Sequence, residues 1–299
     1  MSVDLDLSLL PAPNIIEPLD YDTLFAQQKA DLIALLPECA AMLALESEPL
    51  TKQLRVLAYR ELLLRQRINE SARALMLTFA TAADLDHLGT TYHRTQRLLV
   101  APGDPTAIPP VPDVWESDSD YRYRCTLAPS GYSVAGPSGA YEYHAMSASG
   151  LVKHADPVSP IPGSVDVYIL SRTGNGAPAQ SVLDAVTAAL NTTSVRPLCE
   201  EVTVKPASIL DYTIVATLTS YEGVGIELAL ATAQQQAQAY ADTTHRIRHG
   251  VYLAGIKAAL KVAGISDVVL TQPAADVLCG VGEAAYCTGI TITYGGVKL

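Results

Sequence analysis

The sequence predicts an α+β, multidomain protein, with an N-terminal helical-bundle domain followed by two small α+β domains. Three observations carry this prediction. From Glu48 to Ala80 the only helix breaker is Pro49, and apolar residues recur there at helical spacing. Residues 101–114, APGDPTAIPPVPDV, hold five prolines and two acids, the composition of a linker or long loop. From residue 150 onward, short strand-like runs alternate with amphipathic helical runs. The expected boundaries are 1–94 for an N-terminal arm and helical bundle, 95–149 for a Pro-rich linker and short helices, 150–205 for one α+β domain and 206–299 for the second.

In chain order, the first 18 residues carry Pro11, Pro13 and Pro18 and read as an extended arm. Asp20 is a good N-cap for a helix running to Leu36, before Pro37. The next helix opens with Pro49 in its first turn. Within it Leu50, Leu54, Leu57, Glu61, Leu64, Ile68, Ser71 and Leu75 step alternately by four and three. That is a heptad-like stripe on a helix of about 30 residues, on the order of 45 Å long. Such a helix needs partner helices, and Leu54, Leu57, Leu64, Ile68 and Leu75 are the candidate seam.

Charge divides along the same stretch. Residues 1–49 hold nine acids and one base, Lys29, whereas residues 50–73 hold six bases and two acids. The basic helix face, with Arg55, Arg65, Arg67 and Arg73, is therefore a candidate docking surface for the acidic arm, within a subunit or between subunits. Solvated charge on two ordinary surfaces accounts for the same segregation.

A short helix over Ala83–Thr91 ends the helical domain. SDSDYRYRCTLA starts another behind Ser or Asp caps, and Ala140–Ser149 is helical. Val152–Ala155 and Val165–Leu170 read as strands, Ala179–Leu190 as a helix and Glu201–Lys205 as a strand, a small ββαβ unit. In the last domain Tyr212–Ser220, Val268–Leu270 and Ile290–Tyr294 are strands, and Glu227–Asp242 and Leu253–Val262 are helices.

The composition is that of a folded protein, with 49% hydrophobic and 17% charged residues. A formal net charge of -11, with 31 acids against 20 bases, argues against binding nucleic acid or an anionic membrane surface. Asp4 and Asp6 stand where a secretory signal carries positive charge. The five scattered cysteines form no CxxC pair and read as reduced, buried thiols. Tyrosine, at 15 residues against 2 Phe and 1 Trp, is a residue favoured at protein–protein interfaces.

Catalytic patterns are incomplete. Gly174-Asn175-Gly176 sits between a strand and a helix but lacks the third Gly and the Lys-Ser/Thr pair of a phosphate loop, and reads as a tight turn. Gly131-Tyr132-Ser133-Val134-Ala135 resembles a nucleophile elbow without the apolar strand that must precede one. His245 and His249 have zinc-protease spacing, but the motif reads His-Arg-Ile-Arg-His, without the Glu general base and with two repelling cations. A basic surface patch is the expectation there. No catalytic, cofactor or metal site is predicted; the enzyme alternative is a hydrolase or metal-dependent enzyme.

Several segments, in order along nearly the whole chain, carry a resemblance: LPAPNIIEPLDYDTL, YRELLLRQRINESARALML, ATAADLDHLGTTYHRTQR, ESDSDYRYRCTLAPSGYSVAGPSGAYEYHAMS, PIPGSVDVYIL and LNTTSVRPLCEEVTVKPA. Together they resemble the baseplate J family of contractile tails, as in P2-like phages and R-type tailocins. The resemblance implies a virion protein of the tail baseplate, assembled in the host bacterial cytoplasm, with no catalytic residues and no cofactor. It implies a wedge in which two copies join one smaller partner baseplate protein of the I type through a helical bundle. Adjacent wedges would then link through the α+β domains into a ring, beside the sheath initiator and tail hub proteins. The equivalent subunit of a non-phage contractile injection system is the other reading. The C-terminal piece, CGVGEAAYCTGITITYGGVKL, lies outside the resemblance.

Overall fold

The computed structural model describes residue 13 and residues 15–133, 136–222 and 225–297. The extended arm expected over the first 18 residues therefore lies largely outside the described residues, as do Val134 and Ala135 of the elbow-like motif. The chain forms two compact units, divided between Tyr92 and His93.

The first unit is helical. α1 (Tyr21–Leu35) is capped by Asp20, whose carboxylate accepts from the Asp22 and Thr23 amides. A 3-10 turn (Pro37–Cys39) and the short α2 (Ala40–Leu43) lead into α3 (Pro49–Ala74), 26 residues and about 39 Å long. α3 is shorter than expected because its last turn tightens: the Leu75 and Met76 amides donate to Ala72 and Arg73, three residues back. α4 spans Ala82–His93. A small core of Cys39, Leu43 and Leu54, with Phe25, Leu32, Ile33 and Leu50 against it, joins α1, α2 and the start of α3.

The second unit begins with a feature absent from the sequence reading. β1 (Leu99–Ala101) and β2 (Val114–Trp115) pair antiparallel, and an Asp104–Val111 bridge ties the Pro-rich segment between them. The segment is thus a loop pinned at its base, not a free linker. Below it lies a buried ion pair. Arg124 on α5 (Asp118–Gly131) donates to both Glu116 oxygens at 2.8 and 2.7 Å and to the Gln96 carbonyl at 2.6 Å, and both side chains are almost wholly buried. Arg97 adds a bond to the Glu116 carbonyl and lies 4.8 Å over the Tyr121 ring. Ser117 caps α5 by accepting from the Asp120 amide.

α6 (Ser138–Ala148) and α7 (Gln180–Leu190) cover a sheet of order β3-β4-β5, made of Val152–Ile161, Ser164–Ser171 and Glu201–Pro206, with β3/β4 antiparallel and β4/β5 parallel. Tyr141, Met146, Val167, Ile169, Val186 and Leu190 fill the core between them. The second sheet has the order β7-β6-β8: Ile265–Gln272, Ser208–Ser220 and Glu283–Val297. β6 runs antiparallel to β7 and parallel to β8. α8 (Ile226–Thr244) and α9 (Leu253–Leu260) cover one face, with Ala229, Ala233 and Ala237 of α8 closing on Ile214, Leu218 and Ile256. The small alanines let helix and sheet approach closely.

Packing continues across the expected boundary at residue 206. Leu170 of β4, Ala207, Ile247 and Ala284 form one buried cluster across it, and Ala207 N donates to Ile169 O at 2.9 Å. Gly174 and Gly176 both have positive φ, in a turn after β4. A Cβ on Gly176 would lie 2.6 Å from Leu170 Cδ1 and 2.8 Å from His245 Nε2, so Gly176 makes room and the turn is tight.

Candidate assembly interface

α3 presents different surfaces around its circumference. One surface is used within its own chain. Leu54 is buried on the small core, and Gln28 of α1 donates to Glu61 at 2.7 Å. Arg65 reaches Glu61 and Glu17, each at 2.8 Å. The Gln28 bond, then the Arg65 bond, hold the Glu61 carboxyl below the usual carboxylate range. Asn69 clamps the backbone of Glu17, donating to its carbonyl at 2.9 Å and accepting its amide at 3.1 Å. Arg55 pairs with Glu46 and lies 5.3 Å over the Phe25 ring. Glu61, which interrupts the heptad-like stripe, thus has a partner inside the chain.

The other seam residues face away. Leu57, Leu64 and Ile68 are 48%, 66% and 60% exposed, and at 100° per residue they lie within about 40° of one another. Leu75, just past the helix end, is also exposed. Of the five candidate seam residues, Leu54 alone is buried within the chain. The four arginines do not share one face: Arg55 and Arg73, five whole turns apart, share an azimuth, while Arg65 lies about 80° and Arg67 about 120° away from it. Arg55 and Arg65 meet acids of the acidic segment, and Arg67 and Arg73 are exposed.

A second exposed apolar row was missed in the sequence. Val56, Tyr59 and Leu63 are each about half exposed and stand roughly a third of a turn from the first row, with Arg60 and Arg67 between. Their spacing of three and four was the available signal. α3 therefore carries two apolar rows that nothing in the described residues of its own unit buries.

The catalytic look-alikes hold nothing together. α8 ends at Thr244, so His245 and His249 do not share a helix face. His245 is buried, its Nδ1 2.7 Å from Ala285 O and its ring edge-on to Tyr286, which corrects the surface-patch expectation for that residue. His249 is exposed. Ser133 follows a helix instead of a strand. Among the described residues no group of three or more His, Cys, Asp or Glu side chains could hold a metal ion. All five thiols are free; Cys39 and Cys125 are buried, Cys279 and Cys287 half-buried, and Cys199 exposed, contrary to the expectation of burial for all five. Among the described residues no helix is long and apolar enough to cross a membrane.

Three family models match the chain in order: the baseplate J-like N-terminal domain over residues 46–104, the central domain over 133–206 and the C-terminal domain over 212–293. The chain belongs to the baseplate J family. It is 45% identical over 297 residues to a protein named baseplate protein J of Escherichia phage P2, covering 98% of each chain. A cryo-EM structure of the anti-feeding prophage (AFP) baseplate, six-fold symmetrised, aligns over 60% of this chain and 42% of that one, at 15% identity and a TM-score of 0.39. So remote a likeness carries no argument. The N-terminal family model spans the whole of α3, both apolar rows included.

Proposed function

We infer that this chain is a structural protein of a tail baseplate, without catalytic activity, and we propose that α3 is the assembly helix. The observation that carries the second step is the row Leu57, Leu64 and Ile68, exposed in the single chain at heptad-like spacing. In a wedge, two copies of this chain and one smaller partner protein of the I type bury these rows in a shared helical bundle. A bundle alone does not close a ring, so each subunit needs a second contact, which we place in residues 150–299. The sheath initiator and tail hub proteins are the expected neighbours in the virion, and the host bacterial cytoplasm is the place of assembly.

Co-expressing the full chain with the I-type protein and weighing the complex by native mass spectrometry tests this reading. Two copies of the chain to one of the partner are expected, lost on Leu64→Asp. A chain that stays monomeric beside the partner, and is absent from the tail end of purified particles, would overturn it.

A further inference from the structure

β8 is an edge strand. Among the described residues, the bridge between Ile247 and Ala284 is the only pairing on its outer side. Proteins blunt such edges with Lys, Pro, short strands or bulges, since an open edge is a template for another strand. Here the sequence from Ala284 to Val297 has no charged residue and no Pro, and the charges that flank it are Glu283 and Lys298. The register steps from Tyr212↔Cys287 to Thr213↔Gly289, so a bulge at Thr288 divides the strand into two regular stretches, and the Ile247 bridge lies on the first of them. Gly296, at φ +97, marks the far limit.

The stretch that remains is Gly289-Ile290-Thr291-Ile292-Thr293-Tyr294-Gly295, nearly symmetric about Ile292. Laid antiparallel on a second copy with Ile292 opposite Ile292, it places Thr291 against Thr293, Ile290 against Tyr294 and Gly289 against Gly295. Ile290 and Ile292 lie on the core face, and Thr291 and Thr293 are exposed on the other, where Thr293 Oγ1 is 3.4 Å from Thr217 Oγ1. Hydroxyl against hydroxyl and β-branched against aromatic are favourable cross-strand pairs, and no charges oppose each other. The symmetry of the stretch points to itself as the occupant. A strand of unrelated sequence has no reason to match it residue for residue.

We propose that β8 pairs antiparallel with β8 of a second copy of this chain through Gly289–Gly295, joining two three-stranded sheets into one of six. The contact is two-fold symmetric and separate from the α3 rows. It rests on the baseplate reading above, and names the second contact that reading requires.

The test uses particles carrying Thr291→Cys with Thr293→Cys, oxidised and mapped by peptide mass spectrometry, with Thr217→Cys on β6 as the control. A disulfide from position 291 of one copy to position 293 of another is expected, and none at 217. Particles that contain the chain but give no such link, or give a link to a different protein, overturn the pairing and leave the baseplate role standing. The same link in purified chain that is absent from particles supports the pairing and sinks the baseplate role. As a second measurement, Thr291→Lys with Thr293→Lys sets like charges opposite and lowers particle yield roughly tenfold, whereas Thr291→Glu with Thr293→Lys restores it. Equal yields for the two double variants contradict the register.

Discussion

The helices of the first unit and the sheets of the second treat apolar surface in opposite ways. α1 buries no residue fully, and α3 buries four of its 26, two of them polar. β4 buries six of its eight residues, and β6 alternates buried and open positions along most of its length. The second unit closes its cores within one chain, while α3 leaves large apolar side chains about half exposed or more in two rows. On the proposed reading, a fold that completes its sheets and not its long helix is a subunit whose helix is finished by other chains. The proposal gives the apolar excess a use, because an exposed row of this kind costs solubility and contributes nothing to the isolated fold.

The predictions probe that contrast. The largest effect is expected from Leu64→Asp. It places an unpaired charge in the apolar seam and abolishes baseplate assembly, while the isolated chain keeps its melting temperature because the side chain is 66% exposed. Counting assembled particles by electron microscopy beside a thermal melt checks both halves. Arg124→Met acts in the opposite sense. It leaves Glu116 buried without its main partner and destabilises the second unit by about 3 kcal/mol, read by chemical denaturation of the chain alone. Ile169→Ala, in the core beneath α7, costs a further well-defined amount, about 2–4 kcal/mol.

A smaller effect concerns pH. Burial, with Arg246, His249 and Lys153 adding to it, lowers the His154 pKa to about 4. The unfolded chain takes up that proton first, at the ordinary value of 6.5, so the folded state loses stability as pH falls from about 6.5 toward 4. Denaturation at pH 7 and pH 5 should differ by about 1–2 kcal/mol, and His154→Gln should shrink the difference. The smallest expected effect is none at all: a chelator leaves the melting temperature unchanged, and a stoichiometric metal in purified protein would contradict that.

Much of this contrast was legible in the sequence. Asp20 and Ser117 were readable as caps and serve as caps. Spacing placed Leu57, Leu64 and Ile68 on one stripe, but it put Leu54 there too. Periodicity gives an azimuth and not what covers it, and α1 and α2 cover the first turns of α3. β3 was read only to Ala155 because Pro157 and Pro160 follow, yet an edge strand tolerates proline on its open side. β1 and β2 were hidden by the prolines between them. The Glu116–Arg124 pair was not readable, since a charge in a sequence is a surface charge until a partner eight residues away buries it. β8 was read as five residues and spans 15, because its parallel pairing with β6 is non-local and leaves no mark in the strand itself.

The central claim is that other chains cover the outer row of α3. Leu64→Cys, treated with a maleimide in the free chain and in assembled particles and read by peptide mass, tests it most directly. The account predicts rapid labelling at position 64 in the free chain and strong protection in the particle. Equal labelling in both states, in particles that contain the chain, would contradict it.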